Sequence, residues 1–178
     1  PSILQNEIAA PQQSRGSIEV THENPEQAKF AAALEKYHQI FHELRDCDAA
    51  EAKAPVPDDL ERRMIDIKGA AYFLNASQVG ICEMAESCWL LEANKQSHSH
   101  AIVILVEHPR LPEAGSLARS WTENTIEDFA KFRAYEIAIS IANHILKMGF
   151  SAIAHDSRHG DVDLERLTVM SGLGVRTD

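Results

Sequence analysis

Ala101-Ile-Val-Ile-Leu-Val106 is a continuous apolar run rich in β-branched residues, with no polar residue alternating through it. A strand with one wet face alternates, so an unbroken run predicts a central strand covered on both faces. The cover is in the same chain. A helix is expected from about Thr125 to Met148, and its half from Ala134 to Leu146 is apolar on nearly every side, the pattern of a buried central helix. Gly149 stands in the C′ position that ends it, with Lys147 in the last turn, where the helix dipole favours a cation. Phe150–His155 is expected as the next strand, making residues 101–155 a strand–helix–strand unit.

With 178 residues the chain is long enough to bury one core. No apolar run approaches the roughly 18–20 residues needed to cross a bilayer, so no membrane partner is expected. Pro1–Val20 lacks the basic-then-apolar layout of a signal peptide, and Arg62-Arg63 lies inside a predicted helix with no export segment behind it. A cytoplasmic location follows as the expectation. Net charge is −10, with 17 basic residues scattered among 27 acidic ones. Such a surface repels a phosphate backbone, which argues against nucleic acid as a partner.

Along the rest of the chain, residues 1–23 are rich in Gln, Ser, Pro and Glu and read as an extended arm. Asn24 looks like an N-cap, followed by Pro25 at the first helical position. Phe30, Leu34, Tyr37, Phe41 and Leu44 then mark one face of a helix ending near Asp46, and Asp48–Pro57 is a linker, so residues 24–57 form a helix and linker. Residues 58–178 are expected to be an α/β domain. In it Asp58 or Asp59 caps a helix carrying Leu60, Met64, Ile67, Ala71 and Leu74 on one side. A polar corner at Asn75–Gln78 turns the chain into a short strand from Val79 to Glu83. Pro109, Pro112 and Gly115 make a loop, and a short helix is expected at roughly Val162–Ser171, closed by Gly172. Four helices and three strands in a small sheet give an α/β (α+β) class, and a sheet so small leaves edges that need cover, as in an incomplete domain.

Cys47, Cys82 and Cys88 are widely spaced and contain no Cys-x-x-Cys pair. A cubane cluster needs four thiolates, so none can be built from this chain alone. They read as buried or spectator thiols. His38 and His42 stand four apart on one helical face, a spacing that can grip a divalent metal, but no third ligand is evident and half-exposed surface histidines are the expectation. His98 and His100 read as histidines at the entry to a strand. The densest polar cluster is His155-Asp156-Ser157-Arg158-His159-Gly160-Asp161. There Arg158 and free backbone N–H groups can hold an anion, and His159 can do acid–base work oriented by Asp156 or Asp161. The alternative is a solvated turn with Asp161 as N-cap. Arg158, His159 and Asp161 are thus the candidate ligand-loop residues; no catalytic, metal or cofactor-binding residue is assigned. Gly172-Leu-Gly174 follows a helix, so it is no dinucleotide cradle.

Several stretches, in order, resemble the N-terminal region of cobalamin-dependent reductive dehalogenases and their epoxyqueuosine reductase relatives. They are Asn75–Cys82, His100–Leu105, Ala134–Phe150, Ser151–His155, Asp161–Leu167 and Ser171–Gly174, from about residue 65 to 174. The soluble, catabolic dehalogenases are the most similar type. The resemblance implies a nitroreductase-like sandwich, a small mixed sheet covered by helices. It implies an oxidoreductase that removes halogen reductively from an organohalide, and it places cobalamin and 4Fe-4S clusters in later corrinoid and ferredoxin-like domains. Those domains are then the partners, with a homodimer as a further possibility, and this chain has a structural or assembly role. At Val175-Arg176-Thr177-Asp178 the chain departs from the family's pattern of an acidic residue, Leu and a third Gly. Two other functions fit the residues: a free-standing binding or assembly module on the same scaffold, and a small flavin-binding reductase.

Overall fold

A computed structural model of the chain describes residues 25–175, with side chains from residue 28. The proposed arm at 1–23 and the N-cap at Asn24 lie outside the described residues. Five α-helices and two strands follow in the order α1 (Pro25–Glu43), α2 (Leu60–Phe73), β1 (Gln78–Glu83), β2 (His100–Leu105), α3 (Leu117–Thr122), α4 (Ile126–Lys147) and α5 (Leu164–Met170).

Local chemistry explains most of the boundaries. Asp59 caps α2, its carboxylate accepting from the N–H of Glu61 at 2.9 Å. The helix stops because Asn75 takes a left-handed φ of 68°, letting the N–H of Ala76 bond back to the carbonyl of Ala71 at 3.0 Å. Asn tolerates that conformation better than most residues, so the polar corner is where the chain turns into β1. Gly149 has a φ of +82° and ends α4 as expected. A Cβ there would also press on the backbone of Ala52 and Lys53. The linker is strapped across this helix end: the N–H groups of Ala50 and Ala54 donate to the carbonyls of Leu146 and Met148, each at 2.9 Å. The strap gives the Met148 carbonyl a donor and adds one to that of Leu146, which also accepts from the N–H of Gly149 at 2.9 Å.

β1 and β2 pair antiparallel, with Val79 opposite Ile104 and Gly80 opposite Val103. The unbroken apolar run is explained by cover on both sides. Val79, Ile102 and Ile104 pack with Ala71 of α2 and Ile137 and Ile141 of α4. Cys82, Ala101 and Val103 pack on the other face against Cys88, Val162 and Leu167. The opposite side of α4 carries Tyr135, Ile139 and Ala142, packed with Phe41 of α1 and with Ala152 and Ala154. A helix buried from two directions is apolar nearly all round, as its sequence is.

Two expectations are corrected. Phe150–His155 forms no strand, so among the described residues the sheet is two-stranded and antiparallel rather than mixed. Ala152 and Ala154 instead pack against Tyr135, Ile139 and Ala142 of α4. The loop after β2 contains a helix that was not expected, α3, whose N-cap Ser116 accepts from the N–H of Ala118 at 3.2 Å.

Candidate functional site

The polar loop at 155–161 is brought against α1 and α4. Asp156 organises it. Its Oδ1 accepts the backbone N–H groups of Arg158, at 3.1 Å, and of His159, closing an Asx-type turn. Gly160 completes the turn at close quarters, since a Cβ there would run into the Asp156 carbonyl. The other carboxylate oxygen, Oδ2, lies 2.8 Å from Nε2 of His38, 118 positions away. The side chains of His38 and Asp156 are only 9% and 8% exposed.

Around this pair α1 and α4 contribute the rest. His38 and His42, one turn apart on α1, both stack near Tyr135 of α4, and Nδ1 of His42 is 2.8 Å from the Tyr135 hydroxyl. The His159 ring lies 4.0 Å from that of His42 and 5.3 Å from that of His38, centroid to centroid. Its Nδ1 is 3.3 Å from Asp156 Oδ1. Three imidazoles, a phenol and a carboxylate therefore share one seam.

The charges follow from burial and these contacts. Burial alone would raise the Asp156 carboxyl, but the His38 hydrogen bond, the His159 N–H and both imidazole charges outweigh it and hold it at about 2. Burial pushes the Tyr135 hydroxyl up to about 12, with the Asp156 charge adding to the effect. Burial also lowers His42, helped by the charge of His159. His155, beside the seam, is pushed down to about 4 by burial and by Arg45. It is thus neutral near pH 7, and its Nδ1 accepts the N–H of Asp161 at 3.3 Å.

Of the residues singled out from sequence, His159 sits in the seam with Asp156 as its neighbour. Arg158 turns outward to Glu35, with which it forms an ion pair, and to Asp128 at 3.7 Å. Partial burial would raise the Glu35 carboxyl, but the Arg158 ion pair, helped by the charge of His38, outweighs it and lowers it. The backbone of Asp161 is engaged, its carbonyl accepting from the N–H of Leu90 at 2.9 Å and its N–H donating to His155. The N-cap of α5 is Asp163, which accepts from Arg166 at 2.9 Å, and not Asp161. His38 is not a half-exposed surface histidine but a buried one, because the loop covers it. His98 and His100 lie elsewhere, bonded to Ser151 and Ser99. Sequence reasoning missed Tyr135, which looked like one more core residue of α4. Its signal was a hydroxyl on the helix side facing the paired histidines of α1.

No protein-family model matches the chain, and no curated protein does. Solved structures do. The catabolic reductive dehalogenase NpRdhA matches with 31% sequence identity and a TM-score of 0.78 over 92% of this chain and 23% of its own. Its complex with 3-bromo-4-hydroxybenzoic acid gives the same values. A reductive dehalogenase structure described for B12-dependent dehalogenation matches at 31% identity and a TM-score of 0.75, over 93% of this chain and 23% of that one. In sequence and in fold, this chain is similar to one region of the catabolic reductive dehalogenases it matches, spanning about a quarter of their length.

Proposed function

We propose that the chain is the N-terminal, nitroreductase-like region of a reductive dehalogenase-type oxidoreductase. Its role there is structural: residues 58–178 pack against a corrinoid domain and residues 24–57 brace them. The observation that carries this is the 31% identity held over 92% of the chain but only 23% of the matched dehalogenase. Exposed apolar side chains on α2 agree with it. Phe73 is 86% exposed and Leu60 72%, a surface suited to cover by a neighbouring domain.

The redox groups of such an enzyme do not fit the described residues. A 4Fe-4S cluster needs four thiolates; this chain has three cysteines, and Cys88 is buried with its Sγ 3.3 Å from the Met170 sulfur. The hollow beside His38 holds about 30 Å³ and the cleft between Arg45 and Ser151 about 280 Å³. Both fall short of the roughly 300–1,000 Å³ of sites for drug-sized ligands, and a corrinoid is larger still. On this reading cobalamin and the clusters belong to other domains, in a cytoplasmic enzyme acting on an organohalide.

The test is to supply the purified chain with cobalamin, a low-potential reductant and a halophenol, and to measure halide release. No release is expected, while a longer product of the same reading frame, carrying the cysteine-rich runs, releases halide under the same conditions. Turnover by the chain alone, or a reading frame lacking such runs, overturns the proposal.

A further inference from the structure

We propose that His38, Asp156 and His159 form a binding site for a divalent transition metal of the zinc class, clamping α1 to the 156–161 turn. The proposal uses neither corrinoid nor thiolate and stands apart from the dehalogenase reading. Two imidazoles and one carboxylate are a donor set such ions accept, leaving a fourth position for water.

The spacing suits it. One ligand atom from each residue lies within 4.8 Å of the others, with His38 Nε2 2.8 Å and His159 Nδ1 3.3 Å from the Asp156 oxygens. Metal bonds of about 2.0–2.1 Å in a tetrahedral site set ligand atoms about 3.3 Å apart. An ion therefore needs only small movements of side chains that are already gathered. His38 is held by α1, and Asp156 and His159 by the Asx-type turn.

Nδ1 of His38 is buried and has no partner among the described residues, which is costly for a group so enclosed. An imidazole that ligates a metal through Nε2 carries its proton on Nδ1, and metal-bound histidines normally give that proton to an acceptor. His38 lines the 30 Å³ hollow with Glu35 and Thr125, room for a water to take that part. His42, fixed through Tyr135, packs at a tilt against His159 and holds its ring in place. The His159 side chain is 37% exposed, which gives an ion a way in.

The test is calorimetric titration of Zn²⁺ into the metal-free chain, with Co²⁺ absorption as a second readout. One ion per chain is expected, with the intense visible bands of four-coordinate Co²⁺. His159→Gln weakens binding by at least about tenfold, whereas His98→Gln, whose ring bonds Ser151, leaves it unchanged. Because His38 is buried and its replacement can unfold the chain, the half-exposed His159 carries the test. No heat and no Co²⁺ bands at excess metal, unchanged affinity in His159→Gln, or loss of binding in His98→Gln each overturns the site.

Discussion

The two sides of α4 do different work with the same helix. Toward the sheet it presents Ile137 and Ile141 to Ala71, Val79 and the apolar rungs of β2, a dry aliphatic interface. Toward α1 it presents Tyr135 beside Ile139 and Ala142, and there the packing is threaded with His38, His42, His159 and Asp156. Aliphatic burial is non-directional and tolerates many partners. The second side is directional, since each buried polar atom needs a particular neighbour. Stability and chemical specificity have been divided between opposite faces of one element.

The largest break in that comparison should come from the aliphatic side. Ile137→Ala, at a position 2% exposed, is expected to cost about 2–5 kcal/mol, read from the midpoint of urea unfolding, while leaving the tyrosine–histidine contact intact. A loss well under 1 kcal/mol would show that this face collapses around the cavity. On the polar side, Tyr135→Phe keeps the ring packing and removes only the hydroxyl at His42, for about 0.5–1.5 kcal/mol. If Phe there equals or exceeds the isoleucine deletion, the division between faces is wrong.

The smallest effect concerns the far face of the sheet, where burial and then the neighbouring Cys88 push the Cys82 thiol above its ordinary 9.0. The folded state thus favours the protonated thiol. As pH climbs through about 9 the unfolded chain ionises first, so this contribution is present below that range and lost above it. At about pH 8, alkylation of Cys82 should lag that of Cys47 in the native chain and catch up in denaturant. Mass spectrometry of the labelled peptides measures it, and equal native rates would remove the claim that β1 buries this thiol.

Short-range chemistry was legible from sequence. The Asp59 cap, the Asn75 corner, the end of α4 at Gly149 and the doubly covered β2 all depend on a few neighbouring residues. What depended on distant partners was not. Phe150–His155 has strand-like composition, but whether it pairs is decided by a neighbouring strand, and among the described residues it joins none. His38 looked like a surface residue because its cover, Asp156, lies 118 positions on. Arg158 looked free to hold an anion because Glu35 and Asp128 come from two other helices. The helix α3 was hidden by prolines that precede its Ser116 cap.

The strap across the end of α4 makes the segment between α1 and α2 a measured spacer rather than slack. Ala50 and Ala54 are tied to carbonyls on one helix end, and Gly149 leaves no room beneath. The residue count on either side of those ties decides where α1 stops and where α2 begins. Adding or removing a residue there is a change of register, one that carries Ala71 away from Ile137 or His38 away from Asp156.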